Sequence, residues 1–216
     1  MLSICLICSN KIDLIMKPIR SNYASAFRDT RDYDTNNKLF GWGVCRNCLC
    51  LHNTPQEKTY FSTRYHNWIE YSEPEWHFGN ILSDIKKLNN VTGGFHNVIG
   101  LSYKDTTLVE AISKEFNIKG HPSDIIGITN DWLNVGLEEA KKRFSNHLTS
   151  ITKGKRSIII ARRLLDHCAS PTKFLETFNY LPQGSVIYIE INDYKQLVKN
   201  SIYDFIWNER TFYPFS

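Results

Sequence analysis

Apolar positions along this chain follow two rhythms. From His77, the segment HFGNILSDIKKL sets Ile81, Ile85 and Leu88 at helical spacing, which predicts a short bridging helix. Asn90 to Gly94 then supplies a break. Beyond it, strand-like and helix-like stretches alternate. FHNVIGLS reads as a buried strand, and Asp105 to Phe116 as a helix with Leu108, Ile112 and Phe116 on one face. Thr107 followed by Glu110 fits a capping box for that helix. DIIGIT, Asp124 to Thr129, reads as a second strand, and Leu137, Ala140, Phe144 and Leu148 mark the next amphipathic helix.

RSIIIA, ending at Ala161, is the clearest buried strand because its apolar run is continuous. Ser170-Pro171 suits a helix start, with Ser as cap and Pro in the first turn. Phe174, Leu175, Phe178 and Leu181 give that helix its apolar face, and Gly184 turns the chain into the strand SVIYIEI. Such alternation predicts an α/β fold, a mostly parallel sheet with helices on both faces. Ligands of such sheets sit beyond the carboxyl ends of the strands.

Composition changes this picture little. The 42% hydrophobic content of the 216 residues allows one or two domains with a real core. The net charge of +4 is modest, and the clusters Lys86-Lys87 and Lys141-Lys142-Arg143 are short, so a solvated surface is expected and nucleic-acid binding is disfavoured. No apolar run approaches the roughly 20 residues of a membrane span. MLSICLICSNK is a poor signal peptide, which leaves a cytoplasmic location as the default. The aromatics between Lys58 and Trp76, namely Tyr60, Phe61, Tyr65, Trp68, Tyr71 and Trp76, suit either a ligand cleft or packing between lobes.

The cysteines carry the sharpest chemistry. Five of six lie in the first fifty residues, as the pairs Cys5/Cys8 and Cys45/Cys48 with Cys50 just beyond. In a reducing compartment, paired CxxC turns point to metal more than to disulfides. Two such turns complete a tetrahedron of thiolates around a structural Zn2+, with no open coordination position. Cys50 and His52 are alternative ligands, and the regular spacing favours the four paired cysteines.

Four stretches in this order resemble the zinc-binding, S-adenosylmethionine-dependent C-methyltransferases of nucleotide-linked deoxysugars. They are the paired CxxC module, VIGLSYKDTTLVEAI, IIIARRLLDHCASPTKFLETF and YDFIWNERTFYPFS. The second is similar to the family's strand, loop and helix for the cofactor, the third to its "ARxxLEH, then Pro" segment, and the fourth to its "YDxIYHEHxxYFS" stretch. The resemblance implies a Rossmann-like class I methyltransferase sheet behind a small zinc-ribbon domain. It also implies a keto-deoxysugar nucleotide as substrate, with an enolate carbon attacking the cofactor's methyl group. Gly100, Asp105 and Thr107 match the cofactor loop, Thr106 stands at a second glycine, and His121 stands where a ribose-binding acid is expected, with Asp124 nearby. Arg162 and His167 match the third motif, and Asp166 replaces its glutamate. In the fourth, Glu209 keeps its identity, while Trp207, Asn208 and Arg210 replace tyrosine and two histidines. Glu209 is then the candidate base, and Arg210 the group for enolate or phosphate charge.

The expected organisation is a zinc-binding domain over residues 1–60, an aromatic linker and bridging helix over 61–92, and a Rossmann-like domain over 93–216. The motifs end at Ser216 without the antiparallel closing pair of such sheets. The expectation is a truncated methyltransferase domain, or one completed by a partner chain or by self-association at an uncovered sheet edge. Two function classes stay open besides the transferase: a non-catalytic homologue serving as a binding or scaffold partner, and a zinc-ribbon nucleic-acid binder.

Overall fold

Ser157 to Arg162 is buried at every position, as expected of a strand covered on both faces. The computed structural model, which describes residues 4–21, 38–54, 75–122, 137–168, 170–201 and 210–215, places this strand inside a parallel sheet. The elements from the bridging helix onward are α1 (Phe78–Thr92), β4 (Asn97–Gly100), α2 (Thr106–Phe116), β5 (Lys119–His121), α3 (Leu137–Thr152), β6 (Ser157–Arg162), α4 (Pro171–Glu176), β7 (Val186–Glu190) and α5 (Tyr194–Lys199). The sheet runs β5-β4-β6-β7, with every pairing parallel. The period-two pleat sorts β6 between two cores. Ile158 and Ile160 face Ile81 and Ile85 of α1 and Leu108 and Ile112 of α2. Ile159 and Ala161 face Ala140, Phe144 and Leu148 of α3 and Phe174 of α4. Helices therefore cover both faces of a mixed α/β layer structure.

Several local expectations shift. The bridging helix extends two residues beyond Asn90 and stops within the anticipated break, where Gly93 turns left-handed at φ 74°, its N–H bonding the Asn89 carbonyl. The capping box falls at Ser102 and Asp105, not at Thr107 and Glu110. Ser170 holds the cap position of α4 without a side-chain cap bond, while Pro171 opens the helix as expected. The strand beside β4 is Lys119–His121; the stretch 124–129 lies outside the described residues, as do the aromatics from Tyr60 to Tyr71.

The amino-terminal lobe is a second, antiparallel sheet. Its strands β1 (Asp13–Ser21), β2 (Lys38–Val44) and β3 (Leu51–Thr54) are joined by β8 (Phe212–Tyr213), in the order β1-β2-β3-β8. The carboxyl-terminal motif thus pairs with the cysteine-bearing lobe, with Leu51 opposite Tyr213 and His52 opposite Phe212. The same segment is fastened to the parallel-sheet side, because the Thr211 N–H donates to the Asp166 carbonyl at 2.7 Å. Among the described residues, no helix is long and apolar enough to cross a membrane.

Candidate functional site

Two turns of the same construction form the metal cradle. The Cys5 N–H donates to the Asn10 carbonyl at 2.8 Å, and the Cys45 N–H to the Cys50 carbonyl at 2.9 Å. The residue after each second cysteine is left-handed, Ser9 at φ 61° and Leu49 at φ 57°, a conformation non-glycine residues seldom adopt. It curls each CxxC so that both thiols point inward. The four Sγ atoms of Cys5, Cys8, Cys45 and Cys48 lie within 4.8 Å of one another. Two cross-turn pairs, Cys5–Cys48 and Cys8–Cys45, are 3.4 and 3.5 Å apart. A tetrahedral ion with ~2.3 Å Zn–S bonds needs sulfurs about 3.8 Å apart, so the cluster could hold a metal such as zinc after a small expansion.

At these spacings the sulfurs are not bonded to one another, and all four cysteines are free of disulfides. The Asn10 side chain and backbone N–H groups draw the Cys8 thiol down to about 5. Cys50 is not a fifth ligand: its thiol donates to the Tyr213 carbonyl at 3.4 Å, and burial pushes it up to about 12. His52 packs on Phe212 rather than on the sulfurs, and burial lowers it to about 4.

The second cluster stands at the carboxyl end of the parallel sheet. After β4 the chain turns sharply, and the Asp105 carboxylate ties the turn down. Its Oδ2 accepts from the N–H groups of Leu101 and Ser102, both at 2.8 Å, and its Oδ1 accepts from the N–H of Arg162 at 3.0 Å. Burial pushes this carboxyl up to about 7, against the pull of those N–H groups. Asp105 is therefore a bracket between the ends of β4 and β6, with no exposed surface. Gly100 permits it: a Cβ there would lie 2.8 Å from the Asp105 Cβ and 3.1 Å from Val109 Cγ2. Gly100→Ala should destabilise the protein by about 1–3 kcal/mol, because helix backbone must shift to admit the methyl. A urea midpoint equal to wild type would show that the strand–helix spacing is not tight.

Thr106 opens α2 half-buried and Thr107 is exposed. His121 ends β5 level with Ile99 of β4. Its Nε2 is buried and has no hydrogen-bond partner among the described residues; burial, then Lys119 and Lys153, lower its pKa. Arg162 is fully buried, donating from Nε to Glu190 at 3.0 Å and from Nη1 to the Lys104 carbonyl at 2.8 Å.

The third motif is enclosed within the fold. Asp166 and His167 are completely buried. Asp166 Oδ2 is 3.0 Å from Arg210 Nη1 and accepts from the Tyr194 hydroxyl. Burial opposes its ionisation, but Arg210, His167 and Tyr194 hold its carboxyl below the usual range. Arg210, the expected catalytic cation, is thereby a structural one: it is 5% exposed and its guanidinium serves Asp166 and Tyr194. Glu209 and Trp207 lie outside the described residues.

The chain matches no family model and no curated protein. What the site can do therefore follows from its own geometry. Gly100, Asp105 and Arg162 meet directly, and His121 stands on the neighbouring strand. His167 and Arg210 meet separately around Asp166. Sequence reasoning missed Tyr194, His77 and Glu190. Glu190 carried one signal, as a carboxylate ending the otherwise apolar run SVIYI, the place where ligand-facing groups of parallel sheets sit.

Proposed function

We propose that this chain is an S-adenosylmethionine-dependent C-methyltransferase-like protein acting on a nucleotide-linked keto-deoxysugar, with a Rossmann-like class I sheet and a structural zinc ribbon. One observation carries the reading. Strand order reverses at β4, whose neighbours are β5 on one side and β6 on the other, and the crevice beyond such a reversal is where parallel sheets take ligands. The Gly100–Asp105 turn and His121 both stand at that point. An imidazole nitrogen that is buried and lacks a partner among the described residues suits a ribose hydroxyl, which can donate or accept. Asp105 and Arg162 support the pocket from beneath, shaping the loop rather than touching the ligand. The cofactor, when bound, brings an electrophilic methyl group; the protein's part is to hold the sugar beside it and to handle a proton.

The test is calorimetric titration of the purified chain with S-adenosylmethionine. Heat corresponding to micromolar or tighter binding is expected, together with a raised melting temperature. Absence of both would sink the reading. The burial of Arg210, Asp105 and His167 favours a second reading, a non-catalytic homologue that keeps the scaffold. Turnover of a keto-sugar nucleotide would rule that out.

A further inference from the structure

A polar cluster not assigned above stands at the carboxyl ends of β6 and β7. His77 occupies the cap position of α1, yet its side chain makes no capping bond. Its Nε2 lies 2.9 Å from Glu190 Oε2. Glu190 also receives Arg162 Nε at 3.0 Å and Arg163 Nε at 3.2 Å. Arg162 in turn lies over the Phe78 ring, 4.8 Å from its centre, which fixes the start of α1 against the end of β6.

Two features separate this cluster from a structural ion pair. The first is access. The side chains of His77, Glu190 and Arg163 are 19%, 13% and 22% exposed, whereas those of Asp166 and His167 are at 0%. The second is strain. Arg163 is left-handed at φ 49°, a conformation that costs a non-glycine residue roughly 1–3 kcal/mol and clusters at functional sites. Its N–H nevertheless reaches the Glu190 carbonyl at 2.7 Å, so the end of β6 is bent to bring both arginines to one carboxylate.

The chemistry follows from the tautomer. A carboxylate on Nε2 fixes the proton there and leaves the lone pair on Nδ1, which has no hydrogen-bond partner among the described residues. We propose that His77 is the proton-transfer residue of this protein, oriented by Glu190 as its positioning residue, beside a rim made positive by Arg163. The inference rests on the keto-sugar reading above and names the base which that reading requires. Nδ1 takes the proton from the carbon next to the ketone, and the C–H electron pair becomes the enolate. The resulting imidazolium is held by Glu190. In reverse, the imidazolium returns a proton to the same carbon and the enolate closes to the ketone.

The reverse step gives a test that needs no methyl donor. The full chain is incubated in deuterium oxide with a thymidine-diphosphate-linked 4-keto-6-deoxyhexose, and deuterium next to the ketone is followed by mass spectrometry. Wild type should exchange faster than the protein-free control. His77→Gln, whose amide can still donate to Glu190, should slow exchange at least ~100-fold, in line with the loss of a general base, with an unchanged melting temperature. Should the variant melt lower, His77→Ala with added imidazole decides: restored exchange supports the assignment, and none overturns it. Wild-type exchange no faster than the control, or His77→Gln exchanging like wild type, also overturns it. Heat of S-adenosylmethionine binding in the same wild-type sample separates the two ideas. Binding heat with no effect of His77 removes this inference alone, whereas neither heat nor exchange removes both.

Discussion

The purified protein should bind one zinc ion per chain and lose its amino-terminal lobe when the metal is stripped. The lobe is poor in core. Its described buried apolar set around the cluster is Cys5, Ile12, Cys45, Cys50 and Phe212, so three of its five members are cysteines. Structural zinc sites of four thiolates contribute an apparent binding free energy of about 10–16 kcal/mol, which becomes folding free energy where no preformed apo site exists. Cys45→Ser should weaken binding by more than the ~10–100-fold that outer-shell changes cost, because it deletes a ligand atom. Cys50→Ser and Cys168→Ser should leave stoichiometry unchanged, since Cys50 bonds Tyr213 and Cys168 packs in the other lobe. Metal analysis of the variants, with chelator-induced loss of β-sheet circular dichroism, checks this. Metal loss in Cys50→Ser but not in Cys48→Ser would move the ligand set and refute the assignment. Affinity should also fall as pH drops, because each ligand must shed a proton.

Asp166→Asn should cost about 3–5 kcal/mol, the penalty typical of removing one partner from a buried ion pair. Arg210 would keep its charge with 5% of its surface in water and lose the carboxylate 3.0 Å from its Nη1. The Tyr194 hydroxyl would lose an ionised acceptor at the same time. The substituted residue sits at the seam between lobes, where the Asp166 backbone carbonyl accepts from both the N–H and the hydroxyl of Thr211. Urea denaturation should show the loss, and adding Arg210→Met should recover part of it, because the buried charge is then gone. Asp84→Asn, at an exposed pair 2.9 Å long, should change stability by no more than ~0.5 kcal/mol. Equal effects at the two positions would show that the buried pair carries no special weight.

The pH dependence has a definite sign. The folded pKa of Asp166 is depressed from its ordinary 3.8. Its contribution is therefore complete above that ordinary value and is lost as pH falls through the lower, folded one. Acid titration of wild type against Asp166→Asn should show this difference in that window.

Local chemistry in the sequence determined the two CxxC turns, the helix faces of α2 and α3, the continuous run of β6 and the β/α alternation that makes the sheet parallel. Each is a pattern of neighbours a few residues apart, where residue size, polarity and backbone freedom act directly. Tertiary structure alone decided the rest. The strand Lys119–His121 is short and has no apolar signature, its pattern exposed or half-buried, while the apolar DIIGIT nearby gave the stronger strand signal. It is a strand because β4 offers it a ladder, not because its side chains demand one. Arg210 sits in a motif suggestive of catalysis, and only the arrival of Asp166 and Tyr194 from other elements turns it into a structural ion. The carboxyl-terminal strand completes a sheet begun at the other end of the chain, and His77 meets Glu190 across 113 residues. Partners so distant are chosen by the folded chain's enclosure of charge and its completion of backbone ladders, which no local pattern encodes.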